Sequence, residues 1–216
     1  MGGERRLGVG AVLLAATLGL SGCQQPVERV PTVVPTPDVS WTTAQEWVSD
    51  SPLEDDERVK TVRAAQLGLA LATNARDFSI AQITDYFPAA TVDSYYDRYD
   101  NTRLLRYVGP AIMLPLDIAE LPGGGAEVTF CVVDHWTIDA KQSTVSYDFA
   151  AGETRSYTVE KDPTTGRLVQ TDWQGLSIDC DATGAPVGVF QPQVEQLDPD
   201  HLDPVVPRVG YGQDDG

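Results

Sequence analysis

The chain has few of the residues on which common catalytic centres are built. Its 216 residues include 3 cysteines and 2 histidines, and no CxxC pair, HExxH motif or GxSxG nucleophile elbow occurs. The glycines at 123–125 are followed by neither a lysine nor a helical pattern, so they do not form a phosphate-binding loop. We therefore predict no cofactor, no metal and no assigned catalytic residue.

Basic residues are also scarce. The 15 lysines and arginines are outnumbered by 32 aspartates and glutamates, which gives a formal net charge of -17. A surface this negative repels phosphate backbones and anionic lipid headgroups. Nucleic acid is therefore excluded as an expected partner, and any membrane contact must come from an anchor.

The longest apolar run, residues 7–18, is too short for a permanent membrane helix. Two arginines precede it, and residues 20–23 read Leu-Ser-Gly-Cys directly after it. A basic start, a short apolar run and small residues at a cleavage point are typical of a removable signal peptide. The sequence therefore predicts export from the cytosol.

The Leu-Ser-Gly-Cys segment resembles the lipobox of bacterial lipoproteins. The resemblance implies that residues 1–22 are a lipoprotein signal peptide and that Cys23 is acylated, with palmitate among its chains, as the mature amino terminus. Two acyl chains hold a protein stably on a membrane, so the expected location is the extracytoplasmic face of the cell membrane. The alternative is an ordinary signal peptide followed by a free or buried cysteine.

Proline-rich segments lie on both sides of the region that can fold. Residues 23–40 contain four prolines, which predicts an extended stalk of roughly 50 Å at about 3.1 Å per residue. Residues 183–216 combine proline with Asp, Gln and Gly, which predicts a disordered tail. Residues 41–182 remain for one domain of ordinary size.

The domain is predicted to begin with helices. Ser51, Pro52 and Glu54 form a helix start, and an apolar stripe at spacings of three and four continues to about Arg76. Two further short helices are predicted over residues 79–86 and 91–99.

Alternating apolar residues follow, with turns at 123–125 and 162–166. The predicted strands are 112–118, 128–138, 145–149, 155–160 and 167–180. Alternation places Ile112, Leu114, Leu116 and Ile118 on one face, and Val128, Phe130, Val132, Trp136 and Ile138 on another. The predicted fold class is α+β, with helices packed on one face of a curved antiparallel sheet.

This element order, with Phe130-Cys131-Val132-Val133-Asp134 on one long strand and a second cysteine near the end of the last, resembles bacterial lipoproteins of the nuclear transport factor two-like (cystatin-like) group. The resemblance covers about residues 52–181 and implies a cone in which a bent sheet wraps a long helix. That group includes isomerases, dehydratases and non-catalytic binding or assembly modules, between which the fold does not choose.

If Cys23 carries lipid, Cys131 and Cys180 remain in a compartment that permits disulfides. We predict that they pair, closing a loop of about 50 residues worth about 4 kcal/mol. Two separate buried thiols are the alternative.

Asp134 is the candidate cavity acid because it alternates onto the apolar face that holds Trp136. Burial would raise its pKa and suit it to acid-base work, with His135, Tyr147 or Asp172 as neighbours. A bulged strand that sends Asp134 and His135 to solvent or to a backbone amide is the favoured alternative.

Aromatic and basic residues are concentrated in one short region of this acidic chain. Core packing and local ion pairs are the favoured explanation, and a site for sugars or peptides is the alternative. Trp173 is likewise predicted to be a core residue. The concentration consists of Tyr95, Tyr96, Arg98, Tyr99, Arg103, Arg106 and Tyr107.

Together these patterns predict a membrane-anchored extracytoplasmic lipoprotein that acts as a non-catalytic binding or accessory module of the cell envelope. Its candidate partners are an envelope protein or a cell-wall ligand. The alternative is a small-molecule isomerase or hydratase-like enzyme that uses Asp134.

Overall fold

The computed structural model describes residues 31, 33–41, 51–99, 105–133, 137–139, 150–195, 198 and 202–212. Cys23, Asp134, His135 and Tyr147 lie outside these residues, as does the predicted strand 145–149. The elements in chain order are β1 (Asp38–Trp41), a 3₁₀ turn (Pro52–Asp55), α1 (Glu57–Ala75), α2 (Ala81–Thr84), α3 (Ala89–Arg98), β2 (Leu105–Tyr107), β3 (Met113–Glu120), β4 (Ala126–Val132), β5 (Thr137–Asp139), β6 (Ala151–Lys161), β7 (Leu168–Asp181) and β8 (Gly188–Gln191).

The strands form one main sheet and two small pairs. The main sheet is antiparallel with the order β3-β4-β6-β7, while β1 pairs with β8 and β2 pairs with β5. Helices precede this sheet and α1 packs against it. The fold class is therefore α+β, as the sequence predicts.

The predicted first helix is divided into a turn and a helix. Ser51 caps the 3₁₀ turn by accepting a hydrogen bond from Leu53 N at 3.4 Å, and Pro52 occupies the first position. Asp56 then caps α1 by accepting from Arg58 N at 2.8 Å. The Arg58 side chain hydrogen-bonds the same carboxylate and holds the pKa of Asp56 below its usual value.

Helix α1 is buried by two different layers along its length. Its first half packs on the main sheet, in a cluster formed by Val59, Val62, Met113, Val128, Phe130, Val132, Tyr157 and Val159. Its second half packs on the following helices, in a cluster that contains Ala65, Ala70, Leu71, Ala72, Phe78, Ile80, Ile83, Phe87, Val92 and Phe190. The helix is therefore the centre of the fold.

Strand β3 corrects one prediction about side-chain faces. The register shifts between Pro115 and Asp117, so Leu116 is 43% exposed instead of facing the core. A bulge reverses the alternation beyond it. Ile112 consequently packs in the cluster of Cys131, whereas Ile118 packs on the opposite, helix-facing cluster.

The predicted common face of Val128, Phe130 and Val132 on β4 is confirmed. Val128, Phe130 and Val132 all pack in the cluster that α1 covers. Trp136 lies outside the described residues. The turn at 123–125 is also present, with Gly123 at φ 99° and Gly124 at φ 89°.

Both ends of the described chain belong to the fold, in contrast to the predicted stalk and tail. Strand β1 pairs with β8, and Phe190 of β8 is only 1% exposed. Residue Pro31 lines a small cleft with Phe87 and Val92 of the helical layer. Val34, Val39, Val194 and Val205 of these segments pack, together with Phe190, in the helical cluster. Average composition does not reveal contacts of this kind.

The carboxy-terminal segment 202–212 runs along the helices. Phe78 N donates to Val206 O at 2.8 Å, and Val206 N donates to Arg76 O at 2.9 Å. Arg208 forms an ion pair with Asp93 of α3 at 2.6 Å. The segment therefore covers the end of α1 and part of α3.

A buried ion pair joins the 3₁₀ turn to α1 and the sheet. Arg63 Nε donates to Glu54 Oε2 at 2.8 Å, and Arg63 Nη2 donates to Glu54 Oε1 and, at 3.1 Å, to Met113 O of β3. The two side chains are 5% and 6% exposed. The Arg63 guanidinium also lies 5.8 Å from the Phe130 ring centroid, so both charges are compensated where water is absent.

We predict that Glu54→Ala lowers the free energy of unfolding by about 3–5 kcal/mol, because it leaves the Arg63 charge buried without its carboxylate. The paired variant Glu54→Leu with Arg63→Met should recover most of this loss. The matched control is Asp55→Ala, an exposed acid in the same turn, with an expected change below about 0.5 kcal/mol. Urea unfolding followed by circular dichroism measures all three, and wild-type stability of Glu54→Ala would contradict the prediction.

Cys131 and Cys180 form a disulfide, with an S–S distance of 2.02 Å. It joins β4 to β7 across β6, which lies between them in the sheet. Strands two apart in a flat sheet are separated by about 10 Å, whereas these Cα atoms are 5.8 Å apart. The sheet is therefore sharply bent here, and a register shift between Glu153 and Arg155 accompanies the bend.

Gly152 of β6 makes room for the disulfide. A Cβ atom at this position would lie 2.6 Å from Cys131 Sγ and 3.3 Å from Cys180 Sγ. Contacts under 3.0 Å require something to move. No side chain larger than hydrogen fits under the bridge without displacing a strand.

We predict that Gly152→Ala destabilises the oxidised protein by about 2 kcal/mol or more, or prevents the disulfide, whose loss typically costs about 2–5 kcal/mol. The same substitution should cost much less when Cys131 and Cys180 are both alanine. Gly175→Ala is the control, since its nearest neighbour would be 3.6 Å away. Thiol titration and urea unfolding give the readout, and an equal cost in both backgrounds would disprove the steric explanation.

Candidate functional site

A cavity of about 300 Å³ lies between the helices and the curved end of the sheet. Helix α1 covers the sheet at the β3–β4 side but leaves this space beside β6 and β7. The described residues that line it are Gln66, Leu69, Thr73, Phe78, Tyr95, Arg98, Tyr99, Leu105, Tyr107, Arg155, Tyr157 and Trp173.

Regular spacing explains how elements far apart in sequence line one space. The α1 residues Gln66, Leu69 and Thr73 are three and four apart, so they share one helix face. Helix α3 contributes positions 95, 98 and 99 by the same rule. Strands β2 and β6 contribute alternate residues, and Tyr157 is the direct cross-strand partner of Trp173 on β7.

Three of the lining tyrosines each contact a buried phenylalanine edge-on. The ring centroids of Tyr95 and Phe87 are 5.2 Å apart. The corresponding distance is 5.5 Å for Tyr99 with Phe78 and 5.6 Å for Tyr157 with Phe130. Edge-to-face contacts of this kind add stability beyond burial. The aromatic wall is therefore held in place from behind before any ligand arrives.

Asn74 fixes Tyr107. Its Nδ2 donates to Tyr107 O at 2.9 Å, and its Oδ1 accepts from Tyr107 N at 2.8 Å. The side-chain amide thus reproduces the hydrogen-bonding pattern of a neighbouring strand. In this way α1 sets the position of β2, and the Tyr107 ring faces the cavity.

Two arginines supply the formal charge of the described lining. The Arg155 guanidinium lies 5.3 Å from the Trp173 ring centroid, and Glu153 Oε2 is 3.9 Å from Arg155 Nη2. Arg98 lies in the last turn of α3 and is exposed. No described carboxylate forms an ion pair with Arg98, and among the described lining residues there is no Asp, Glu, His, Lys or Cys.

Three of the lining tyrosines, Tyr95, Tyr99 and Tyr107, are held in their neutral form. Burial raises the pKa of Tyr95 far above its usual value, and the neighbouring Tyr157 and Tyr107 raise it further. Burial also raises the pKa of Tyr99 and of Tyr107. These three phenols therefore keep their protons at physiological pH and act as hydrogen-bond donors, and the Tyr99 hydroxyl donates to Thr73 O at 3.5 Å.

A groove of about 430 Å³ adjoins the cavity. Tyr95, Arg98 and Trp173 line both spaces, so they lie at the boundary between them. Thr171 and Asp172 belong to the groove and not to the cavity lining.

The structure brings together part of the predicted aromatic and basic concentration. Tyr95, Arg98, Tyr99 and Tyr107 line the cavity. Tyr96 instead packs on Phe78 and Tyr211, Arg106 alternates to the other side of β2, and Arg103 lies outside the described residues.

The lining residues that the sequence interpretation did not assign to a site include Trp173, Arg155 and Tyr157. Trp173, predicted to be in the core, is 40% exposed and lies at the cavity boundary. Arg155 and Tyr157 were not singled out at all. The sequence did contain a signal for them: Arg155 and Tyr157 are two residues apart, so they lie on the same face of one strand. A wholly apolar core would not contain an arginine on that face.

Two absences hold for the part of the chain that the structure describes. No group of three His, Cys, Asp or Glu side chains there is close enough to hold a metal ion. No helix within the described ranges is sufficiently long and apolar to cross a bilayer.

Comparison with protein-family models, curated proteins and solved structures gives no match to this chain.

We predict that the protein loses stability at alkaline pH because of these tyrosines. Above pH 10, the ordinary value of a tyrosine, the unfolded chain releases protons that the folded protein retains, so the free energy of unfolding falls. Tyr107→Phe should reduce the fall by up to about 1.4 kcal/mol per pH unit. Urea unfolding between pH 9 and about pH 11 tests this, and identical slopes for wild type and Tyr107→Phe would contradict it.

Proposed function

We propose that this protein is a lipid-anchored, extracytoplasmic lipoprotein whose α+β domain, a cone of the nuclear transport factor two-like kind, binds a small ligand without transforming it. The cavity between α1, α3, β6 and β7 is the observation that carries the binding function. It has the volume of a small-molecule site, and such sites are mostly apolar with a few placed polar groups.

The composition of the cavity supports binding over catalysis. Its described lining consists of aromatic, apolar, amide and hydroxyl side chains together with two arginines. General acid-base chemistry needs a group that titrates near the working pH, and the tyrosines are shifted away from it. The enzyme alternative depends on Asp134, which lies outside the described residues.

The rigidity of the wall also favours a binding role. A wall whose rings already pack on buried phenylalanines loses little side-chain freedom when a ligand arrives. Trp173 adds a large aromatic surface at the entrance, where it can contact a ligand and report its arrival by fluorescence. A cell-wall fragment or another envelope component is the expected source of the ligand.

The binding function is tested with the neutral fluorescent probe N-phenyl-1-naphthylamine. We expect saturable binding at one site per chain. The variant Leu69→Trp, which places a larger side chain in the cavity lining, should weaken binding at least about tenfold, an energy of about 1.4 kcal/mol. Leu116→Trp, at an exposed position on β3, is the control.

Retention of probe binding in Leu69→Trp would show that the probe occupies another place. Asp134→Asn is compared in the same assay, because an enzyme that uses this carboxylate should lose turnover of a candidate substrate while keeping probe binding. Folding of each variant is checked by near-ultraviolet circular dichroism.

Anchoring is tested with Cys23→Ser. The lipoprotein proposal predicts that wild type partitions into membranes with an acylated Cys23 at its amino terminus, and that the variant is not acylated. Mass spectrometry of the mature terminus and fractionation of cells are the measurements. An unmodified Cys23 in wild type recovered from membranes would overturn the anchoring proposal while leaving the cavity unaffected.

A further inference from the structure

We propose that the ligand of this cavity is a small amphipathic anion: an aromatic or other apolar body that carries one oxyanion group, which Arg98 and Arg155 bind. The inference rests on the proposed binding function and names the chemical class of its ligand.

The first support is the sign of the charge inside the cavity. The whole chain has a formal net charge of -17, yet the formal charges in the described lining are the two arginines alone. A protein this acidic repels anions over most of its surface. Glu153 lies beside Arg155 and Asp172 lines the adjoining groove, but neither carboxylate belongs to the described cavity lining. The positive sign of that lining favours an anionic group there.

The second support is the placement of Arg155. Its guanidinium lies over the Trp173 ring, 5.3 Å from the ring centroid, and its side chain is 22% exposed. Glu153 Oε2 is 3.9 Å from Nη2, which is longer than a hydrogen bond. The guanidinium carries five N–H donors in a planar fork that matches carboxylate and phosphate oxygens.

Arg98 is placed to complete the anion site. It lies in the last turn of α3 and is exposed, and no described carboxylate forms an ion pair with it. It lines both the cavity and the adjoining groove, beside Tyr95 and Trp173. The anionic group is therefore expected at the boundary, with solvent on one side, and this lowers the desolvation that binding requires.

The inner part of the cavity fits the apolar body. Leu69, Phe78, Leu105 and the faces of the tyrosines provide apolar surface, while Gln66 and Thr73 are the neutral polar groups. Gln66 is already engaged, because its Nε2 donates to Gln170 Oε1 at 3.0 Å. A neutral tyrosine hydroxyl can donate a hydrogen bond to an anion, and it adds no negative charge that would repel the anion.

The test compares two probes with the same aromatic body. N-phenyl-1-naphthylamine is neutral, and 8-anilinonaphthalene-1-sulfonate adds one sulfonate to it. We expect the sulfonate probe to bind wild type at least about tenfold more tightly, because hydrogen bonds to a charged group are the stronger ones. Fluorescence titration and calorimetry give the affinities and the stoichiometry.

Arginine variants assign the preference to its residues. Arg98→Gln and Arg155→Gln should each weaken binding of the sulfonate probe about tenfold and change binding of the neutral probe less than about twofold. Arg167→Gln is the matched control, since it removes the same charge from an exposed arginine paired with Asp85 at 3.0 Å. It should leave both affinities unchanged.

Competition identifies the oxyanion. We expect 1-naphthoate or 1-naphthyl phosphate to displace the sulfonate probe, and the stronger competitor indicates whether a carboxylate or a phosphate is preferred. Failure of both to compete would contradict the proposal.

The outcomes separate the two proposals. Equal binding of neutral and anionic probes, or an unchanged preference in both cavity variants, overturns the anionic ligand and leaves the binding function standing. Absence of binding by either probe overturns both. Because Arg98 is exposed, its variant is expected to fold even if Arg155→Gln does not, and near-ultraviolet circular dichroism verifies this.

Discussion

The salt bridge between Arg63 of α1 and Glu54 of the preceding turn determines how the central helix lies on the sheet. A buried guanidinium tolerates few positions, since each of its donors must find an acceptor where no water enters. Glu54 satisfies one edge and Met113 O another. The first half of α1 is therefore fixed against β3, and the apolar contacts of Val59 and Val62 follow from that placement.

The candidate binding cavity also depends on α1. Its far half carries Leu69 and Thr73 into the wall, and Asn74 near its end positions the backbone of Tyr107. A shift of α1 along its axis would therefore move its own wall and the β2 wall together. The close approach of α1 to α2 permits little such movement, because Gly68 lies directly against the backbone of Gln82, where a Cβ would be 2.0 Å from the carbonyl oxygen.

The cavity lies on the helix-facing side of β6 and β7, beyond the part of the sheet that the first half of α1 covers. The disulfide joins β4 to β7 across Gly152 on the opposite side of the sheet. Phe130, Tyr157 and Trp173 form an aromatic row on the helix-facing side. The Arg155 guanidinium lies over the indole ring of Trp173, Glu153 Oε2 is 3.9 Å from its Nη2, and the side chain is 22% exposed, so its charge is not fully desolvated.

Local chemistry made much of the fold predictable. The cap at Ser51, the proline after it and the apolar spacing up to Arg76 locate the first helix, because each signal acts within one or two turns. The turn at 162–166 is equally local: Asp162 Oδ1 accepts from Thr164 N and Thr165 N, and Gly166 has φ 71°. The pairing of Cys131 with Cys180 required only a count of thiols.

The features that escaped prediction arise from contacts between distant segments. The bulge at Leu116 has no marker in the sequence, yet it reverses the face of every residue after it. The cavity is formed by residues from α1, α3, β2, β6 and β7 together. The pattern of β7 alone does not show the cavity, and it therefore suggested that Trp173 packs in the core. The carboxy-terminal strand pairs with β1, which is far away in sequence, and its proline-rich surroundings concealed it.

The position of Pro31 on the helical layer restricts the whole molecule if Cys23 is the point of lipid attachment. Eight peptide units separate these two residues, and even a fully extended chain of that length reaches no more than about 28 Å. The domain would then be held by a short tether, close to the lipid headgroups, and not raised from the membrane by a long stalk. An acidic body so near a lipid surface cannot rotate freely, and its tilt would decide which way the cavity mouth opens toward the envelope.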